Sequence, residues 1–421
     1  MEGNFAIAQV IMVVTLLVMI FGIAPLYLTA IIGTTFAAIA AGFPLLGGAP
    51  NSISKLLVAA MHPVLVDMLG VLLFIGIMQT TGFMNVIIHK IMEVGRKKGG
   101  APGIATAAGL AAALLGALTA FTQPVVMATI AGPASTRLGL SPNKTSGIIS
   151  MANTVANSCG FTHPTMLAIL GLTGVQFGLI NLWGFLGSIG IYIFAYYRAK
   201  REMISEGIEI RTDDDGAELK LPENAPSFIK AVFPFLFLCV AFFAGFPVFL
   251  VGVVSSIIVI VMAKMSLQDG EKGMISGVAQ IAIPITAIIS LMFMSAVIAK
   301  IGLVDLIAHY VEPYMALAPI QILFAISCLA GLITQSNAAS APILLPFVQI
   351  LIGMGYDPMA ISFAGITGAA IMQLFLTGGA LTALPVVAGV IPGTNQKLAN
   401  RWQRPAMLVG VAVCFLLTFV V

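Results

Sequence analysis

Charged side chains are scarce in this sequence, with 19 basic and 16 acidic residues among 421. The four cysteines form no Cys-x-x-Cys pair and do not cluster with the four histidines, so neither a disulfide framework nor a zinc site is predicted. Walker A, HExxH, catalytic-triad and nucleic-acid-binding motifs are also absent. These absences argue against an enzyme, an ATP-driven pump acting alone and a nucleic-acid partner. No cofactor is expected apart from a coupling ion, Na⁺ or H⁺.

Apolar residues dominate instead, since 59% of the chain is hydrophobic and the mean hydropathy is +1.08. Repeated apolar runs of about 18 to 25 residues indicate a polytopic α-helical membrane protein. The first run follows an acidic residue and lacks a small-residue cleavage site, so we interpret it as a retained span rather than a signal peptide. Spans are predicted at 5–22, 24–41, 60–80, 177–197, 228–246, 247–264, 278–298 and 404–421.

The two halves of the chain resemble each other across a polar segment, 198–227, which we interpret as a cytoplasmic linker. "TGFMNVIIHK" at 81–90 resembles "IGLVDLIAHY" at 301–310, and "RLGLSPNK" at 137–144 resembles "GMGYDPMA" at 353–360. The offset between matching segments is about 216 to 220 residues. This pattern predicts an internal duplication.

The distribution of basic residues predicts how the two halves are oriented. With the N-terminus outside and 107–136 entering the membrane partway and returning, 17 of the 19 basic residues are cytoplasmic, and Lys55 and Lys300 are outside. Both termini are then extracytoplasmic in a cell inner (plasma) membrane. The amphipathic stretch 83–98 lies on the cytoplasmic surface and its counterpart, 303–314, on the opposite one. Such inverted repeats are typical of secondary transporters.

Four polar interruptions occur inside otherwise apolar regions. "LTAFTQP" at 118–124 and "ITQSNAASAP" at 333–342 are predicted to be the tips of re-entrant hairpins, which survive at membrane depth only inside protein or beside a water-filled cavity. "ANTVANSCGFTHPT" at 152–165 and "IMQLFLTGGALTALP" at 371–385 are predicted to be broken helices. The N–H end of a broken helix favours anions and its carbonyl end favours cations. We therefore expect all four interruptions to converge on one cavity.

Short polar side chains at these interruptions are the candidates for substrate binding, with hydrogen bonding between helices as the alternative role for each. They are Thr119, Thr122, Gln123, Asn153, Asn157, Ser158, Thr162, His163, Gln335, Ser336, Asn337, Ser340, Gln373 and Thr377. Because no Arg or Lys is expected in the core, an anionic substrate would be held by amides, hydroxyls and helix N-termini.

Two residues are candidates for ion coupling. His163 is the only histidine within a break, and it would either carry a proton or tie down the unwound backbone. Asp67 is the only acidic residue within an apolar span, with a structural role near the interface as the alternative. A Na⁺ site is expected near Asn157, Ser336 and Asn337.

Several segments resemble the ion transporter superfamily of carboxylate carriers. They are "LTAFTQPVVMATIAGP" and "LSPNKTSGIISMANTVANSCGFTHPT" in the first half, and "GLITQSNAASAPILLP" and "GYDPMAISFAGITGAA" in the second. Over most of 57–392 the chain is similar to the gluconate permease family and to anaerobic C4-dicarboxylate carriers. Ser336 and Asn337 match the first two residues of the Ser-Asn-Thr signature of dicarboxylate/sodium symporters, while Ala338 replaces the Thr.

The resemblance implies a homodimer in which a transport domain slides across the bilayer, like an elevator, against a scaffold. We expect an inverted repeat of about ten transmembrane helices, two re-entrant hairpins and two broken helices. The expected order is scaffold spans 1–82, cytoplasmic arm helix 83–98, transport-domain hairpin and broken helix 99–175, closing span 176–197, linker 198–227, scaffold spans 228–300, extracytoplasmic arm helix 301–314, second hairpin and broken helix 315–392, and final span 393–421.

The function these features favour is secondary active transport of a small organic anion, a carboxylate or sugar acid, coupled to H⁺ or Na⁺. Two alternatives remain open. One is a Na⁺/H⁺ antiporter of the same superfamily, which would need Asp67 as its exchanging carboxylate. The other is the membrane subunit of a tripartite system that receives its substrate from a soluble binding protein.

Overall fold

A computed structural model describes residues 4–119, 124–212, 221, 225–279, 282–315, 317–376 and 383–421. These residues form twenty α-helices and no β-strand. The helices before the linker are α1 (Phe5–Ile20), α2 (Leu26–Ala40), α3 (Ile53–Ala59), α4 (Val64–Thr80), α5 (Phe83–Leu118), α6 (Pro124–Arg137), α7 (Pro142–Ser150), α8 (Ala152–Cys159), α9 (Pro164–Thr173) and α10 (Leu179–Ser205). The helices after it are α11 (Phe228–Phe243), α12 (Val248–Ala263), α13 (Leu267–Val278), α14 (Ala282–Lys300), α15 (Leu303–Met315), α16 (Pro319–Thr334), α17 (Asn337–Gly353), α18 (Pro358–Met372), α19 (Ala383–Val390) and α20 (Gln396–Leu417).

The order of helices is the same in both halves, as the sequence repeat predicts. Each half has two apolar helices, a short helix, a longer apolar helix, an arm, a hairpin, a broken helix and a closing helix. The arm and the first hairpin helix are merged in α5 but separate in α15 and α16. The short helices α3 and α13 were not predicted, because neither contains an apolar run of membrane length.

The helix α4 lies between α12 and α13, and glycines allow its backbone to approach both. A Cβ atom added at Gly252 would fall on the carbonyl oxygen of Gly70 in α4, and one added at Gly277 would fall on that of Leu72. Inside a bilayer the hydrophobic effect does not drive helices together. Such contacts between small residues let them associate by van der Waals packing instead. The longer apolar helix of the first half is therefore enclosed by helices of the second.

The arm and the first hairpin helix fold back on each other at Gly100. This residue has φ 56° and ψ −142°, a conformation outside the helical region that suits glycine. A Cβ atom at Gly103 would fall on the carbonyl oxygen of Gly95, so the two arms of the bend touch through their backbones. In the second half, residues 284–300 and 303–311 meet at an angle of 74°.

Two of the described helices, α5 and α10, are each long and apolar enough to cross a membrane, and two bent pairs of helices raise this number to four. The other apolar helices are 10 to 17 residues long. A helix of 16 residues spans about 24 Å, less than the hydrocarbon core of about 30 Å. The expected total of about ten spans stays a prediction.

A polar network joins the ends of three helices from the two halves. The Glu202 carboxylate of α10 accepts hydrogen bonds from Arg198 Nε and Trp402 Nε1, both at 2.8 Å. Lys144 Nζ of α7 lies 3.2 Å from the same carboxylate, and the Arg198 guanidinium packs 5.0 Å from the Trp402 ring. The network fixes α7, α10 and α20 to one another at one end of the bundle.

Candidate functional site

The second hairpin has a two-residue turn at the predicted position. The helix α16 ends at Thr334, and Gln335, with φ 49°, and Ser336 lead into α17. Ser336 caps α17, since its hydroxyl accepts a hydrogen bond from the Ala339 N–H at 3.4 Å. We call Gln335–Asn337 the second tip.

Hydroxyl groups beneath the second tip bond to the turn itself. Thr334 Oγ1 lies 3.0 Å from the Ser336 carbonyl oxygen and 3.0 Å from Ser340 Oγ. Ser340 Oγ also donates to the Ser336 carbonyl at 2.9 Å and is fully buried. The predicted substrate-binding residue Ser340 therefore shapes the turn.

The Asn337 backbone is held from two sides. Its N–H donates to Gln373 Oε1, at the end of α18, over 3.1 Å, and its carbonyl accepts a hydrogen bond from the Thr165 hydroxyl of α9. The Gln373 side chain is itself oriented, because its Nε2 donates to the Ala370 carbonyl at 2.9 Å. The second tip is thereby joined to both broken helices.

The Asn337 side chain, by contrast, has no partner among the described residues. It is only 6% exposed, yet neither amide atom makes a hydrogen bond there. The side-chain oxygens of Gln335 and Thr162 are likewise buried and unpaired within the described chain. Leaving a buried polar group unpaired costs about 1–3 kcal/mol, so such groups in a folded protein call for an explanation such as a bound ligand.

A cavity of about 800 Å³ lies against the other side of the second tip. Its walls are Met19–Tyr27, which join α1 to α2, and three residues of the second hairpin, Thr334, Gln335 and Ser336. No charged side chain is among the described residues that line it. Two of the predicted binding residues, Gln335 and Ser336, therefore face a space large enough for a small molecule.

The first broken helix is tied to the first hairpin. Between α8 and α9, the Phe161 N–H donates to the Ala117 carbonyl at 2.8 Å, and His163 Nε2 lies 3.1 Å from the Gly116 carbonyl oxygen. This geometry makes Nε2 a donor and supports the structural alternative for His163, which binds the unwound segment to α5. Since Thr165 contacts Asn337, the break at 160–163 lies between the two hairpins.

The remaining candidates of the first half are spread along α8 and the end of α5. Thr119 Oγ1 donates to the Leu115 carbonyl at 2.8 Å, and Ser158 Oγ donates to the Thr154 carbonyl at 2.8 Å, so both hydroxyls bond to their own helix. Asn157 is 5% exposed, and Asn153 is half-buried. Three further candidates, Thr122, Gln123 and Thr377, lie outside the described residues.

Side chains of the closing helices cap the carbonyl ends of both breaks, a feature not predicted from sequence. Asn181 Nδ2 of α10 donates to the Cys159 carbonyl at 2.8 Å, and Asn400 Nδ2 of α20 donates to the Leu374 carbonyl at 2.9 Å. Arg404 adds a charged donor in the second half, from its Nε to the Phe375 carbonyl at 2.9 Å. A cation is favoured there, because a helix C-terminus carries partial negative charge.

Arg404 is half-buried and was expected outside the core, and it brings a charged side chain to the end of the second break. The sequence suggested that Arg404 flanks a span beginning at residue 404, whereas α20 begins at Gln396 and carries Arg404 two turns into the helix. The available signal was the polar sequence 400–404, in which Asn400 and Arg404 are one turn apart. Thr165 was also overlooked, although it lies two residues after His163 within the predicted break.

Asp67 lies apart from these contacts, in the first turn of α4. Its carboxylate lies near the backbone of Phe249, in the first turn of α12. The first N–H groups of a helix have no partner within it, so a carboxylate near them favours the start of α12. The geometry supports the structural alternative for Asp67.

No protein-family model matches the chain, and no curated protein matches it. Two solved structures are similar to it. One is MtrF of Neisseria gonorrhoeae, described as illuminating a class of antimetabolite efflux pumps, with 13% identity and a TM-score of 0.60 over 94% of this chain and 95% of that one. The other is the YdaH transporter of Alcanivorax borkumensis, with 17% identity and a TM-score of 0.53 over 86% of this chain and 85% of that one.

The chain has the fold of a membrane transporter. The predicted all-helical fold is thereby confirmed, and these two structures with a similar fold are transporters rather than enzymes. At 13% and 17% identity the likeness concerns the fold alone. Substrate, coupling ion and the resemblance to gluconate permeases stay predictions.

Proposed function

We propose that the chain is a secondary active transporter of a small organic anion, a carboxylate or sugar acid, coupled to Na⁺ or H⁺. The observation that carries this proposal is the hydrogen bonding of Asn337. Its backbone is fixed by Gln373 and Thr165, while its buried amide is unpaired within the described chain. A polar group that is positioned by its neighbours but not satisfied by them is what a binding site requires.

The chemistry of the second tip suits a carboxylate and a cation together. The Asn337 Nδ2 offers two N–H donors for carboxylate oxygens. The side-chain oxygens of Asn337 and Gln335 are hard neutral donors that suit a small cation such as Na⁺. The lining of the adjacent cavity carries no charge, so a coupling ion would offset the charge of an anionic substrate. We keep the Na⁺ site near Asn157, Ser336 and Asn337 as part of the proposal.

The proposed mechanism is an elevator movement of the hairpins and broken helices. An empty site carries unpaired polar atoms, which are costly to move through hydrocarbon. Substrate and coupling ion would pair these atoms and lower the cost of crossing. The scaffold would be α1–α4 and α11–α14, forming a homodimer in the inner (plasma) membrane with both chain termini extracytoplasmic.

Export is a second candidate direction, favoured by one observation. The alignment with MtrF extends over nearly all of both chains, and that protein belongs to a class described as antimetabolite efflux pumps. The same site would then release a small organic solute outward in exchange for an entering ion. The antiporter alternative predicts cation exchange that depends on Asp67. The tripartite alternative predicts transport that depends on an added soluble protein.

Purified protein in liposomes tests these possibilities. We expect uptake or release of a radiolabelled carboxylate that depends on an imposed Na⁺ or pH gradient and needs no second protein. Asn337→Ala should abolish it, whereas Gln396→Ala, which changes an exposed amide at the first position of α20, should leave it intact. Cation exchange without any organic substrate, lost in Asp67→Asn, would establish the antiporter instead.

A further inference from the structure

A second cavity, of about 440 Å³, lies in the bend of α5, far along that helix from Thr119 at its end. The arm side contributes Ile91 and Val94, and the hairpin side contributes Thr106 and Leu110. Tyr196 of α10 and Phe228 at the start of α11 complete the walls. The cavity, which we call the bend cleft, thus contacts three helices and is lined almost wholly by carbon atoms.

The rim of the bend cleft is basic. Lys90 and Lys98 both line it, and Lys200 lies 6.0 Å from the ring of Tyr196. The acidic residue near it in the described part of the chain is Glu93, which already pairs with Lys90 at 2.8 Å and with Lys97 at 2.6 Å. Among the described residues Lys98 forms no ion pair, and the described side chains at the rim carry a net positive charge.

A polar atom inside the bend cleft also lacks a partner. The Thr106 hydroxyl is buried and makes no hydrogen bond to any described residue. Val94 and Phe228 are 43% and 41% exposed, which leaves an apolar opening on the outside of the molecule. A molecule that is largely apolar, with a hydrogen-bond acceptor and a negatively charged group, would complement these features.

We propose that the bend cleft binds one anionic phospholipid. An acyl chain would occupy the carbon-lined interior, an ester carbonyl would accept from Thr106, and the phosphate would lie between Lys90 and Lys98. The orientation proposed above places this rim at the cytoplasmic leaflet, whose anionic lipids attract basic segments. Because arm and hairpin meet at this bend, the bound lipid would connect the arm to α10 and α11.

Native mass spectrometry of the intact protein in detergent tests the site without requiring transport. The probes are phosphatidylglycerol and phosphatidylcholine with identical acyl chains. We expect wild type to bind phosphatidylglycerol more tightly. Each lysine near a membrane surface contributes roughly fivefold to such binding, so Lys90→Gln with Lys98→Gln should weaken phosphatidylglycerol about 25-fold and leave phosphatidylcholine unchanged.

Two further variants separate this site from general effects. Val94→Trp, at an exposed position on the opening, should weaken both lipids by filling the cleft. Lys272→Gln with Lys397→Gln removes the same charge from exposed positions on α13 and α20 and should change neither. Equal binding of the two lipids by wild type, or an equal loss in both double variants, would overturn the proposal. Because only binding is measured, failure here leaves the proposed transport function standing.

Discussion

Truncating Asn337 should separate a binding role from a structural one, because the two roles predict opposite effects on stability. The side chain is 6% exposed and makes no hydrogen bond within the described chain. Its unpaired burial costs about 1–3 kcal/mol, and Asn337→Ala removes that cost while losing about 1 kcal/mol of packing. We expect the free energy of unfolding of the ligand-free protein to stay unchanged or to rise by up to about 2 kcal/mol.

Gln373→Leu is the matched comparison on the other side of the same hydrogen bond. Gln373 Oε1 accepts the Asn337 N–H, which belongs to the first turn of α17 and has no partner within that helix. A leucine of similar size would leave this buried N–H unpaired, at a cost of about 1–3 kcal/mol. The two variants should therefore differ in stability by about 1–5 kcal/mol, with Asn337→Ala the more stable.

Thermal unfolding in detergent without substrate, together with transport in liposomes, measures both effects. We expect Asn337→Ala to melt at or above the wild-type temperature and to transport nothing. We expect Gln373→Leu to melt at a lower temperature. The reasoning fails if Asn337→Ala unfolds as readily as Gln373→Leu, or if it transports at the wild-type rate.

Two further predictions concern contacts between helices. Thr165→Val removes the hydroxyl bonded to the Asn337 carbonyl, so it should weaken apparent substrate affinity and lower stability by about 1 kcal/mol. Thr165→Ser keeps the hydroxyl and should restore transport. Equal impairment by Val and Ser in uptake assays would argue against the bond. Gly184→Ala would place a Cβ atom on the Ser158 carbonyl oxygen and should destabilise the protein by about 1–3 kcal/mol or more, measured by thermal melting. Gly190→Ala on the same helix meets its nearest neighbour at 3.6 Å and should instead stabilise by about 0.5–1 kcal/mol; a similar loss in both variants would contradict the steric account.

The sequence predicted the order of elements because the bilayer imposes strong constraints on composition. Apolar runs marked α1, α2, α11 and α12 to within a few residues, since hydrocarbon leaves few alternatives to a helix. The turn at Gln335–Ser336 and the break between α8 and α9 were predicted from polar and helix-breaking residues at membrane depth. Amphipathic helices of 7 and 12 residues, α3 and α13, were missed because they lack that signal.

Residue type alone identified Asn337, Gln373 and His163 as candidates for the site but did not distinguish their roles. That distinction depends on which polar atoms form hydrogen bonds with residues that are tens or hundreds of positions away in the sequence. Tertiary packing pairs Gln373 with the Asn337 backbone and His163 with Gly116, and leaves the Asn337 amide unpaired within the described chain. Composition thus determined that polar groups would lie within an apolar fold, whereas the contacts between helices decided which of them are hydrogen-bonded within the described residues, because hydrogen bonds are directional and short.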